Sequence, residues 1–191
     1  MDRHDQNKIE GRNMFVKVCG LKTKEQIDKA IEYGYDAIGV NTYSKSKRYC
    51  SNTVAIDLAN YAKGKIKTFV VGLTYSDVES VAYAFDYTQI YELKQIPNLA
   101  IASKEFPPPT LDYKYYFYDA SVGSGVFEEF PVWLKEKADK IIVAGGLNVE
   151  NVCSVIKQLQ PFGVDVASGV EIDGVKDLKL MKEFIVAAKN C

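Results

Sequence analysis

Ile141-Ile142-Val143-Ala144-Gly145-Gly146-Leu147-Asn148 and Val164-Asp165-Val166-Ala167-Ser168-Gly169-Val170-Glu171 are built alike. Each is a β-branched run that stops at small residues. Such runs read as strands, and a backbone stripped of side chains at a strand end can approach an anion and donate its N–H groups. Two ends of this kind on consecutive strands suggest a clamp for one phosphate.

Working outward, β-rich and helical runs alternate along the chain. Strands are expected at Phe15–Gly20, Ala37–Asn41, Thr68–Leu73, Thr88–Tyr91, Leu99–Ser103, Tyr113–Ala120, Lys140–Ala144 and Val164–Ala167. Helical spacing covers Thr23–Tyr33, Thr53–Ala62, Asp77–Phe85 opening at an Asp77 cap, part of Phe127–Lys137, Glu150–Gln160 capped by Asn148, and Leu178–Lys189. Phe106-Pro107-Pro108-Pro109 cannot be helix interior, so the helix after the fifth strand is missing or reduced. Repeated βα units imply a parallel sheet. Eight of them, with six to eight helices, favour a single closed (β/α)8 TIM barrel over the alternative, an open doubly wound sheet. The barrel would be minimal, below the roughly 200-residue lower end of the fold. The two glycine-bearing ends are then strands seven and eight, whose loops form the usual phosphate site of such barrels.

Composition bounds the rest. The chain has 191 residues and a formal net charge of −1, so nothing favours a nucleic-acid or membrane partner. The partner expected is a small phosphorylated molecule, with monomer and homodimer both open. The four cysteines, Cys19, Cys50, Cys153 and Cys191, have no paired spacing. They read as reduced thiols of a cytoplasmic protein, not as a disulfide framework or a metal site. Residues 1–13 contain Ile9-Glu10-Gly11-Arg12, which resembles a Factor Xa cleavage site. They read as an added leader before a single barrel domain over 14–191. The only histidine, His4, falls in that leader, which leaves no histidine chemistry for the domain.

Three side chains carry candidate chemistry. Cys19 ends the first strand. Alternation sets it with Lys17 on one face, and Val16 and Val18 on the other. A buried cysteine is ordinarily inert packing; at a barrel mouth it can be a thiolate base or nucleophile. Asp119 ends the sixth strand after five aromatic residues in six, surroundings that would raise its pKa and suit it to donate a proton. Arg48 lies in a basic loop, Lys45 to Arg48, and is the one arginine outside the leader. Solvation is the usual fate of such a loop, but a planar bidentate donor among lysines asks for a carboxylate. Asp165 should face Lys17 as a buried structural pair.

With these residues in view, the chain resembles the phosphoribosylanthranilate isomerases of tryptophan biosynthesis. The resemblance rests on Val16–Leu21 (VKVCGL), Ala37–Val40 (AIGV), Ser46–Ser51 (SKRYCS), Tyr118–Ala120 (YDA), Ala144–Val152 (AGGLNVENV) and Gly163–Glu171 (GVDVASGVE). It implies an Amadori rearrangement of N-(5′-phosphoribosyl)anthranilate without cofactor or metal. Asp119 would be the general acid, Cys19 the general base and Arg48 the partner of the anthranilate carboxylate. Phosphate would sit at the backbone of Gly145, Gly146, Ser168 and Gly169. Three departures stand out. Gln89-Ile90-Tyr91-Glu92 replaces a frequent Gln-Leu-His-Gly, Ser121–Gly125 replaces Gly-Gly-Thr-Gly-Lys, and Lys47 replaces a proline. A catalytically silent phosphosugar-binding barrel is the competing reading; it would need neither Cys19 nor Asp119.

Overall fold

The computed structural model describes residues 14–106, 110–119 and 130–191. Eight parallel strands close into a barrel in chain order. They are β1 (Phe15–Cys19), β2 (Ala37–Asn41), β3 (Lys67–Val71), β4 (Tyr87–Ile90), β5 (Leu99–Ser103), β6 (Tyr115–Asp119), β7 (Ile141–Ala144) and β8 (Gly163–Val166). Pairing of Lys17 with Asp165 and of Val18 with Val166 joins β1 to β8 and seals the ring. The closed barrel is therefore correct and the open sheet is not. A hairpin, β9 (Glu171–Ile172) and β10 (Val175–Lys176), follows β8.

The helices are α1 (Lys24–Tyr33), α2 (Asn52–Ala62), α3 (Val132–Lys137), α4 (Val152–Leu159) and α5 (Leu178–Lys189). Thr23, Ser51 and Asp177 cap α1, α2 and α5 by accepting from backbone N–H groups. These helices cover the barrel's outer face, where Val16, Val18, Ile38, Val70, Ile101 and Val164 are buried. The inward set is different: Phe15, Cys19, Phe69, Val71, Phe117 and Ile142. Alternation along β1 thus falls as expected, with Lys17 fully buried on the inward side.

Four expectations need correction. Five α-helices occur among the described residues, fewer than six to eight. The segment Asp77–Phe85 is not a helix but two 3-10 turns, Tyr75–Asp77 and Ala82–Ala84. The cause is Asp77, whose carboxylate turns back to accept from Leu73 and Thr74 N–H, at 3.0 and 2.8 Å, and so opens nothing downstream. At α4 the N-cap is Asn151, not Asn148. Asn148 instead makes a preceding turn, its Oδ1 accepting from Glu150 and Asn151 N–H at 2.9 and 3.0 Å. Finally, Cys153 and Cys191 form a disulfide, while Cys19 and Cys50 are free and buried. Packing of α4 against α5 brings the two sulfurs together across 38 residues, a proximity that sequence spacing does not reveal.

Between Ser103 and Tyr115 no helix occurs among the described residues. The proline run at 107–109, the loop at 121–125 and residues 1–13, expected to be a leader, lie outside the described residues, as do 127–129 of the partly helical stretch that α3 ends.

Candidate active site

The strand ends surround a cavity of about 620 Å3 at the C-terminal mouth of the barrel. Cys19, Arg48, Asp119, Gly145, Gly146 and Ser168 all line it. Gly169 does not; it packs against the loop that follows β7. A Cβ there would fall 1.9 Å from the Leu147 carbonyl oxygen. The two loops quoted at the outset therefore touch, bridged between Asn148 and Gly169. Gly145 and Gly146 have φ of +88° and +74°, consecutive left-handed residues that only glycine adopts without strain. The Gly146 carbonyl accepts from Asn151 Nδ2 at 2.9 Å, which fixes the orientation of the turn.

Cys19 sits at the end of β1, buried. Room for its sulfur comes from β2, where a Cβ on Gly39 would meet Cys19 Sγ at 2.8 Å and Lys17 Nζ at 3.2 Å. Burial pushes the Cys19 thiol up, while Lys17, Lys176 and Arg48 pull the other way and Asp165 adds to the rise. The resting thiol is therefore neutral, in a setting with cations ready to stabilise a thiolate. Lys17 itself is paired as expected, donating to Asp165 Oδ1 at 3.0 Å with both groups buried. Its ammonium also faces the rings of Phe69 and Phe117, at 5.5 and 5.0 Å from their centroids. Burial opposes the Lys17 charge, but the Asp165 carboxylate above all holds its pKa above the ordinary lysine value, so the lysine remains protonated.

Arg48 is not a solvated loop residue. Its stem lies on Gly20, where a Cβ would fall 2.3 Å from Arg48 Cδ. Its guanidinium already holds a carboxylate: Nε and Nη2 donate to Glu171 Oε1 and Oε2 at 2.7 and 2.8 Å. Lys176, opposite Glu171 in the hairpin, also donates to Glu171 and to the Ala167 carbonyl. This contact uses the side edge of the guanidinium, so the end-on pair of nitrogens is still suited to a ligand carboxylate.

Asp119 lies at the end of β6, buried, with the Tyr91 hydroxyl donating to its Oδ2 at 2.5 Å. Gln89 on β4 also lines the cavity; it is buried and its Oε1 has no donor among the described residues. Tyr91, Gln89 and Glu171 are cavity residues that sequence reasoning missed, as is Lys176, which holds Glu171 from behind the lining. The first two stand in the altered Gln89–Glu92 segment and Glu171 closes a quoted motif, so position marked them without disclosing their partners. Among the described residues no three His, Cys, Asp or Glu side chains gather as a metal ion requires, and no helix is long and apolar enough to cross a membrane.

Comparison with known proteins agrees with this geometry. A family profile described as N-(5′phosphoribosyl)anthranilate (PRA) isomerase matches residues 111–187. The N-(5′-phosphoribosyl)anthranilate isomerase of Listeria welshimeri is 33% identical over 204 residues, covering 93% of this chain and 99% of that one. That of Pyrococcus abyssi is 35% identical over 209 residues, with the same coverage of 93% and 99%. Among solved structures, TrpF from Jonesia denitrificans superposes with a TM-score of 0.79 at 26% identity, covering 93% of this chain and 97% of that chain. A phosphoribosyl anthranilate isomerase in complex with reduced 1-(o-carboxyphenylamino)-1-deoxyribulose 5-phosphate superposes with a TM-score of 0.72 at 26% identity, covering 93% and 100%.

Proposed function

The chain belongs to the N-(5′-phosphoribosyl)anthranilate isomerase family, and from that premise we propose how its own residues perform the reaction. It converts N-(5′-phosphoribosyl)anthranilate to 1-(o-carboxyphenylamino)-1-deoxyribulose 5-phosphate in tryptophan biosynthesis. A cytoplasmic location goes with this reading, and the substrate is its small-molecule partner. The observation that carries the assignment of roles is the convergence of Cys19 and Asp119 on one cavity with Arg48 at its edge.

In this reading the phosphate rests on the backbone of Gly145, Gly146 and Ser168, with Gly169 packing the two loops together, and the anthranilate carboxylate takes the end-on nitrogens of Arg48. The sugar then lies between acid and base, so most of the orientational cost is met by binding. Asp119 gives its proton to the ribose ring oxygen as the C1′–O bond breaks and the nitrogen lone pair forms the iminium. The Cys19 thiolate removes the C2′ proton, and the C–H electrons form the C1′–C2′ double bond of an enolamine. Proton return to C1′ and loss of the hydroxyl proton give the C2′ ketone, with no net oxidation. The iminium matters for Cys19. Burial holds its thiol high in the resting site, and a new positive charge on the ligand favours release of the thiol proton to solvent, giving the thiolate at the step that needs it. The orphaned Gln89 Oε1 fits a donor from a sugar hydroxyl.

The test is to generate phosphoribosylanthranilate in situ and follow the loss of its fluorescence. Enzyme-dependent loss above spontaneous breakdown is expected. Cys19→Ala and Asp119→Asn should each lower kcat by roughly 10²-fold or more. Arg48→Lys should chiefly raise KM. A wild-type protein without activity would sink the reading in favour of a silent binding barrel.

A further inference from the structure

We infer that Tyr91 is a positioning residue for the acid step, acting through Asp119. The inference rests on the reading of Asp119 as the general acid. Tyr91 follows β4 directly, lines the cavity and packs on the barrel's inward cluster. Its hydroxyl donates to Asp119 Oδ2. The ring is held from its backbone too, since Tyr91 N–H and Glu92 N–H both donate to the Leu73 carbonyl at 3.0 Å. The Glu92 side chain closes the same corner by accepting from Tyr75 N–H at 2.7 Å. Burial keeps the Tyr91 hydroxyl well above its ordinary range, and the Asp119 carboxylate that forms on proton donation pushes it the same way, so it remains a donor throughout the working pH.

The consequence follows from what proton donation does to the acid. When Asp119 gives its proton to the ring oxygen, a negative charge appears on its carboxyl group. The Tyr91 O–H already points at one of those oxygens and stabilises that charge without giving up its own proton. A hydrogen bond to an ionised group is among the stronger ones, and this bond strengthens as the charge forms. The same contact fixes the rotation of the carboxyl plane. A residue acting this way raises the rate of the acid step and leaves substrate affinity nearly unchanged.

The experiment removes only the oxygen. Tyr91→Phe is expected to lower kcat about 10-fold or more. KM, and affinity for the reduced product analogue, should stay within about twofold, because neither depends on proton donation. In an Asp119→Ala background the same substitution should cost nothing further, since the group it serves is gone. Tyr91→His, which restores a donor, should recover most of the lost kcat. An unchanged kcat for Tyr91→Phe in an otherwise active enzyme overturns the inference and leaves the function standing. An equal loss with and without Asp119 also overturns it, because the tyrosine would then act on its own. Absence of wild-type activity overturns the functional reading itself. Should Tyr91→Phe fold poorly, the kcat and KM of Tyr91→His decide alone: a loss in kcat beyond about 10-fold with normal KM rejects donation as the property that matters.

Discussion

At the scale of single residues, Arg48 shows how a site is prepared before a ligand arrives. Its stem lies against Gly20, at φ +81°, and its guanidinium is gripped by Glu171. A long side chain loses rotamer freedom on binding, and that cost is already met here. Glu171 is half-buried, which raises its carboxyl, but Arg48 and Lys176 outweigh that and hold it below its ordinary 4.5. A carboxyl lowered on folding stabilises the fold when ionised. Its contribution is whole above about pH 4.5 and is lost as pH falls through the lower folded value. Glu171→Gln is therefore expected to destabilise by roughly 1–3 kcal/mol at neutral pH. The gap from wild type should close in acid below about pH 4.5. Thermal melts of both proteins across pH 3 to 8 check this, and a gap independent of pH would show the charge to be irrelevant. Arg48, the one arginine among the described residues, announced a carboxylate in the sequence. That the first carboxylate it meets is its own chain's Glu171, 123 residues on, is written in the closure of the barrel and in no local pattern.

At the scale of elements, strands were legible because a β-branched run buried on both faces has few other fates. Helix ends were less so, since they turn on which backbone group a short polar side chain selects. Asp77 and Asn148 both look like caps in sequence, and both turn to other N–H groups. Cysteine pairing was the least legible, because it depends on how α4 and α5 lie together and not on spacing. The Cys153–Cys191 bond closes 38 residues that include β8, the hairpin and α5. Chain entropy assigns such a closure up to about 4 kcal/mol, with typical values of about 2–4. Cys191→Ser should lower the urea-unfolding free energy by about 2–4 kcal/mol. A reductant should bring wild type to the same value and leave Cys191→Ser unmoved. Equal stability of the two proteins without reductant would mean that the bond contributes nothing. Activity should persist in both cases, since neither sulfur lines the cavity.

At the scale of the whole molecule, the seam between β1 and β8 joins fold and chemistry. The two strands carry Lys17 and Asp165 in register, and their ion pair spans the seam inside the barrel. Buried ion pairs are poor sources of stability, because desolvation offsets much of the attraction, yet removing one partner strands the other charge. Lys17→Met should therefore destabilise by about 3–5 kcal/mol. Adding Asp165→Val removes the stranded carboxylate and should return most of that loss. If the pair served structure alone, the double variant would also regain activity. The position of Lys17 argues otherwise: its ammonium lies beside Cys19 around Gly39 and pulls the thiol down against the burial that raises it. With an apolar side chain there, the thiolate loses its nearest cation. The double variant is expected to be folded, with a melting temperature near wild type, and slower in kcat by roughly 10-fold or more. Stability recovered without activity would make the pair a device for holding a charge next to the base, bought by the closure of the ring. Recovery of both would return Lys17 and Asp165 to a purely structural role.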